Sequence, residues 1–94
     1  KLLPPNGVYA TKTVMEYGTF NGVTNIGYKP TVGELFRGVE TYLFDFEGDL
    51  YGKEIEVQLY SFERPEQKFP DLNELKAQMH RDICFGKEYF DSKE

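Results

Sequence analysis

Only one stretch of this chain repeats its apolar residues at helical spacing, and every other periodic stretch alternates. From Leu72 onward the apolar residues fall at Leu72, Leu75, Met79 and Ile83, a stripe that runs on toward Phe90. Asp71 stands at the N-cap position with Glu74 three residues on, in the manner of a capping box, and Pro70 precedes it. The spacing therefore predicts a single helix over about Leu72 to Phe90.

Upstream the period is two. In Gly7 to Val14, Val8, Ala10 and Val14 fall on one side and Tyr9, Thr11 and Thr13 on the other, with Lys12 interrupting the apolar side, which predicts a half-buried strand. A second strand, about Phe20 to Ile26, follows the tight Glu16-Tyr17-Gly18 connection and should pair with the first as an antiparallel hairpin. Gly27 to Gly38 carries Gly27, Pro30, Gly33 and Gly38 with little periodicity and reads as a long mobile loop. Val39 to Phe46 resumes alternation, with Glu40 on the side of Tyr42, Phe44 and Phe46. After a turn at Glu47-Gly48-Asp49, Lys53 to Tyr60 sets a dry face of Ile55, Val57 and Leu59 against a wet face of Glu54, Glu56 and Gln58. Ser61 to Phe69 contains Pro65 and reads as a connection or an edge strand.

With 94 residues there is surface for one core, so residues 1–94 are read as one domain. Seven Tyr and eight Phe without a Trp suit pleated faces that pack flat side chains, in line with the alternating pattern. The net charge of −5 argues against a nucleic-acid partner, because the general surface repels phosphate backbones. A bound polyphosphate would need backbone N–H groups, a few basic side chains and a metal ion gathered locally. Cys84 is the single cysteine, and no apolar run approaches the ~20 residues of a membrane span. A soluble, cytoplasmic chain with no membrane partner is the expectation. Lys1 to Pro5 shows no leader and no initiator Met, and reads as the middle of something longer.

On these grounds alone the chain is a small all-β domain with a C-terminal helix. Four motifs carry the reading further: GVYA at Gly7 to Ala10, GVTNIGYKPT at Gly22 to Thr31, VETYLFDFEGDLYGK at Val39 to Lys53, and ERPEQKFPDLNELKAQMHRD at Glu63 to Asp82. Their order and spacing resemble the riboflavin kinase family, over nearly the whole chain, and the GVTNIGYKPT and DLYGK forms resemble its bacterial branch. There the kinase is the C-terminal half of a bifunctional riboflavin kinase/FAD synthetase. The resemblance implies an antiparallel Greek-key β-barrel with one C-terminal α-helix packed outside. It also implies transfer of the γ-phosphate of ATP to the 5'-hydroxyl of riboflavin with Mg²⁺, giving FMN and ADP, and an N-terminal FMN adenylyltransferase domain as partner in the parent protein. Members open with a strand and a Pro-Thr-Ala-Asn motif that helps to hold the metal and phosphates. No such motif stands in these residues, so the expectation is a barrel short of one strand and a site short of part of its phosphate cradle.

Phosphoryl transfer to an alcohol needs a group to take the hydroxyl proton. Glu40 is the carboxylate on the aromatic-bearing side of VETYLFDF, where partial burial would bring it into a useful range. The residues alone favour a strand Glu reaching solvent, and the resemblance makes it the catalytic glutamate. Asn25, at a strand end, can bond substrate hydroxyls or its own loop. By resemblance Arg64 and Phe69 join Asn25 as flavin-binding residues; otherwise they are a solvated Arg and a Phe that staples the helix. Gly7, Val8 and Tyr9 border the nucleotide in the family, and Leu50, Tyr51 and Gly52 form the turn beside the adenine, with barrel packing the alternative for Tyr51. His80 and Cys84, one helical turn apart, are two ligands without partners and do not make a zinc site. Glu54, Glu56, Glu63 and Glu66 read as a solvated face. If the phosphate cradle is incomplete, the module would bind flavin or a partner surface without turnover.

Overall fold

The computed structural model describes residues 4–16, 18–31, 34–48 and 54–93, with side chains 29–31 and 34–36 excepted. Four strands and one helix follow in order: β1 (Gly7–Met15), β2 (Gly18–Thr31), β3 (Glu34–Leu43), β4 (Glu56–Arg64) and α1 (Leu72–Lys93). The strands form one antiparallel sheet in the order β3-β2-β1-β4. Three consecutive strands pair as hairpins and the fourth returns beside the first, which is a Greek key. The expectation of an antiparallel Greek-key architecture with one C-terminal helix is met.

The β1–β2 hairpin forms as its tight connection predicts, in register from Gly7↔Ile26 to Met15↔Gly18. The expected loop from Gly27 to Gly38 does not form. Instead β2 runs on to Thr31 and pairs with β3 through Tyr28↔Arg37, Pro30↔Leu35 and Thr31↔Glu34. Glycine and proline read as breakers only where a strand is flanked on both sides. Beyond Ile26 strand β2 has outrun β1, so this stretch pairs on one side only and Pro30 removes no ladder bond toward a second neighbour.

Strand β1 is central and is buried on both faces, where one wet face was expected: Val8 and Ala10 are 2% and 0% exposed, and Thr11 and Thr13 are 0% and 1%. On one face Val8, Val23 and Phe44 make a core cluster joined by Ile83 of α1. Lys12 lies on this face with its ammonium 4.6 Å over the Phe90 ring, and it donates to Asn21 Oδ1 at 2.7 Å. On the other face Thr24 Oγ1 lies 3.0 Å from Thr11 Oγ1 and 2.8 Å from Thr41 Oγ1, the rings of Tyr9 and Phe62 meet edge to face, and the buried Thr13 hydroxyl has no hydrogen-bond partner among the described residues. The Thr24 hydroxyl can donate to one of these neighbours while it accepts from the other, which links three strands through buried side chains.

Strand β4 is the edge strand that Pro65 foreshadowed, ending at Arg64. Its predicted dry face is not dry, because Ile55 and Leu59 remain exposed, with no further strand beyond β4 among the described residues to cover them. Helix α1 starts where its cap predicts, the Asp71 carboxylate accepting the Glu74 N–H at 2.9 Å. The apolar stripe, however, does not pack along its length. Leu72, Leu75 and Met79 are exposed, and the helix meets the sheet through Asp82, Gly86 and Phe90, which are buried. Gly86 decides this: a Cβ there would lie 2.6 Å from Val23 Cγ1 and 2.9 Å from Phe44 Cζ, so the glycine lets the helix backbone come closest to β2 at that turn.

Candidate functional site

The register brings four residues from four strands into one row. Glu40 on β3 faces Asn25 on β2, Asn25 faces Val8 on β1, and Val8 faces Arg64 on β4. Residues directly opposed in an antiparallel sheet project from the same side, and here it is the side on which α1 lies. Three inter-strand steps make the row about 14 Å long from Glu40 to Arg64. Three of the expected site residues thus stand on one line, although they are far apart in the chain. Val8, between them, is 2% exposed and packed in the core with Ile83 of α1, so the helix covers the middle of the row.

At one end Arg64 is held firmly. Its Nε donates to Asp82 Oδ1 at 3.0 Å, its Nη2 to Asp82 Oδ2 at 2.7 Å and its Nη1 to the Pro65 carbonyl at 3.2 Å. The guanidinium centre lies 5.8 Å from the centre of the half-buried Phe69 ring, so the two predicted flavin contacts are neighbours. Hydrogen bonding to Asp82 raises Arg64 above its ordinary range. Burial alone would raise Asp82, but hydrogen bonds with Arg64, Gln78 and Glu63 outweigh it and hold the carboxyl below the usual range. Glu63 is pushed up to about 7, by burial first and then by its hydrogen bond and charge contact with Asp82, against a lowering influence of Arg64.

At the other end Glu40 is exposed, where partial burial was expected. It sits on β3, an edge of the sheet as described. Above the row three segments are laced together. Asn6 Nδ2 donates to Glu66 Oε1 at 3.0 Å and Asn6 Oδ1 accepts from Arg37 Nε at 2.8 Å, while Glu66 Oε2 accepts the Tyr28 N–H at 3.0 Å. Arg37 also donates to the Pro4 carbonyl. The segment after β4 is thereby tied to the β2–β3 hairpin and to the residues before β1.

Gly7 and Tyr9 serve the fold in visible ways. Gly7 has φ 152°, and a Cβ on it would lie 2.5 Å from the Arg64 carbonyl oxygen, so only glycine lets β4 pass there. The Tyr9 hydroxyl donates to the Pro5 carbonyl at 2.7 Å. Leu50, Tyr51 and Gly52 lie outside the described residues. His80 and Cys84 are both exposed, and no group of three potential metal-ligating side chains occurs among the described residues. Glu40 and Asn25 together offer at most three side-chain oxygens, fewer than the six of an octahedral Mg²⁺ shell. Two hollows of about 330 and 280 Å³ border Phe90 at the far end of α1, and neither touches the row.

Sequence reasoning missed three residues. Asp82 is 5% exposed and is the anchor of Arg64. Its signal was present: it shares with Gly86 and Phe90 an i, i+4, i+8 spacing, and an acid within a contact stripe calls for a cation opposite. Glu63, assigned to a solvated face, has a buried Oε1, and Glu66 from the same group is the centre of the lacing described above. Neither shows in the pattern, because both depend on contacts with residues distant in the chain.

Among the described residues no helix is long and apolar enough to cross a membrane. In comparisons with known proteins, the flavokinase (riboflavin kinase) family profile matches residues 1–90. The bifunctional riboflavin kinase/FMN adenylyltransferase of Haemophilus influenzae is 41% identical over 90 residues, covering 95% of this chain and 29% of that protein. Those of Bacillus subtilis and Escherichia coli K12 are 40% and 42% identical, covering 95% and 93% of this chain and 29% and 28% of theirs. The chain thus spans less than a third of the length of these relatives. Among solved structures, one titled a macrolide-efflux protein from Streptococcus pneumoniae superposes with a TM-score of 0.75 at 25% identity, covering 86% of this chain and 27% of that one. With a family profile that runs from its first residue to within one helical turn of its last, this chain belongs to the riboflavin kinase family.

Proposed function

We propose that the domain transfers the γ-phosphoryl group of ATP to the terminal ribityl hydroxyl of riboflavin, giving FMN and ADP. The observation that carries this is the row Glu40–Asn25–Val8–Arg64. A flat tricyclic ring with polar edges suits the Phe69–Arg64 end, where an aromatic face and a fixed guanidinium stand together. The ribityl chain passes beside the covered Val8 to Asn25, whose amide can bond its hydroxyls, and the terminal hydroxyl reaches Glu40. Glu40 accepts its proton as the oxygen attacks phosphorus, a role that needs the carboxylate within hydrogen-bond reach of the substrate. ATP enters as its Mg²⁺ complex, which supplies charge neutralisation on the phosphates. The backbone of Gly7, Val8 and Tyr9 borders the nucleotide, and Leu50, Tyr51 and Gly52 hold the adenine. In the parent protein an FMN adenylyltransferase domain consumes the product, in the cytoplasm.

The exposure of Glu40 supports one other reading, a module that binds flavin without turnover. Incubation with Mg-ATP and riboflavin, followed by chromatography for FMN, separates the two. FMN formation is expected; quenching of flavin fluorescence with no FMN would overturn the kinase assignment in favour of binding alone.

A further inference from the structure

We propose that Glu63 and Asp82 hold one proton between them beside the Arg64 guanidinium, and that this proton governs whether Arg64 is presented to the flavin. The proposal deepens the assignment above and rests on Arg64 lying at the flavin end of the row.

In a regular strand Glu63 and Arg64 would point to opposite faces. The register of β4 on β1 shifts between Val8↔Arg64 and Tyr9↔Phe62, which leaves Glu63 with no opposite number. Such an irregularity re-aims a side chain, and here it brings Glu63 toward the same helix residue that Arg64 contacts. The result is two carboxylates and one guanidinium at the junction of β4 and α1. Asp82 takes the guanidinium in a two-pronged ion pair and also accepts from Gln78 Nε2 at 2.9 Å. Glu63 Oε1 is buried and receives no hydrogen bond from any fixed donor. A proton on Glu63 turns its contact with Asp82 from a repulsion between two anions into a hydrogen bond. The other charged and titratable groups around it are few. Gln78 ties Asp82 to Arg81 on α1, and Tyr9 on the paired β1 has its hydroxyl engaged with Pro5.

The protonated state leaves Arg64 wholly with Asp82 and its remaining N–H edge beside Phe69. Once the proton leaves, near pH 7, the Glu63 carboxylate competes for the same guanidinium and draws it from the flavin edge. Glu63 is thus a positioning residue: it acts on the substrate only through Arg64. Riboflavin affinity should fall as pH rises from 6 to 8 by about tenfold, the effect of one charge-assisted hydrogen bond.

The test has two arms. Carboxyl-carbon NMR of the labelled chain, with Glu63→Gln to assign the resonance, should show a Glu63 midpoint near 7; a midpoint below about 5.5 overturns the proton sharing. Riboflavin fluorescence titrations across the same range should show the tenfold loss in the parent chain and a flat profile in Glu63→Gln; an unchanged pH slope in the variant overturns the link to Arg64. If riboflavin fails to bind at any pH, the flavin assignment falls together with this link, while the carboxyl titration still decides the proton sharing. The first arm needs no variant to fold, because an unassigned glutamate titrating near 7 in the parent chain is itself the expected signature.

Discussion

Replacing Gly86 by alanine sets two opposite effects against each other at a place where the structure says which wins. A Cβ at that position would lie 2.6 Å from Val23 Cγ1 and 2.9 Å from Phe44 Cζ, and neither is the free end of a flexible chain. Val23 is β-branched and buried in the sheet, and Phe44 is a buried ring in the same cluster. Forcing a methyl group into such a contact costs about 1–3 kcal/mol. Exchanging glycine for alanine within a helix returns about 1 kcal/mol through backbone entropy. The net expectation is a loss of up to about 2 kcal/mol, which for a domain of this size lowers Tm by up to roughly 16 °C. Circular dichroism melts of the two proteins give the answer. A variant that melts above the parent would show that helix propensity dominates, and the close approach of α1 to β2 at Gly86 would have to be abandoned.

Two further outcomes follow from the helix and from the buried acids. Asp71→Ala removes the side chain that receives the Glu74 N–H and should lower stability by about 1 kcal/mol, read in the same melts; no change would mean that the cap is not formed in solution. Glu63 and Asp82 give stability opposite dependences on pH. Glu63 has a folded pKa raised from 4.5 to about 7, so its contribution is fully present below about 4.5 and is lost as pH rises through 7. Asp82 is depressed from 3.8, so its contribution is present above that value and is lost as pH falls through its lower folded pKa. Denaturant midpoints measured from pH 4 to 8 should therefore decline toward pH 8, and Glu63→Gln should remove the part of that decline centred near 7. A slope identical in parent and variant would contradict this.

How far the sequence carried the fold depended on whether an element's neighbours are local. The β1–β2 hairpin was legible from its short connection, and α1 from its cap and period, because both are decided within a few residues. The β2–β3 extension was not, since Gly27 and Pro30 behave as breakers unless it is known that β1 ends opposite Ile26. The stripe Leu72, Leu75, Met79 is exposed despite its helical period, because periodicity gives the direction of a face and not the length over which a sheet lies beneath it. For the site, the motifs led to Glu40, Asn25 and Arg64, and the register puts those three on one row. Asp82, Glu63 and Glu66 carry the electrostatics and the lacing around that row, yet their partners stand 18 to 60 residues away in the chain. No local pattern announces such a pair; what could have raised Asp82 was an acid placed in line with Gly86 and Phe90.

The central claim is that the row delivers a riboflavin hydroxyl to Glu40, and Glu40→Gln in the presence of Mg-ATP tests it most directly. The amide keeps the shape and the hydrogen-bonding reach of the carboxylate but cannot take the proton. Because Glu40 is an exposed residue of β3, the substitution leaves the core untouched. Steady-state FMN formation should fall by about 10² to 10⁴, while the riboflavin Kd from fluorescence stays within about twofold, a difference of less than about 0.5 kcal/mol. Turnover equal to the parent's would contradict the account and remove Glu40 from the reaction.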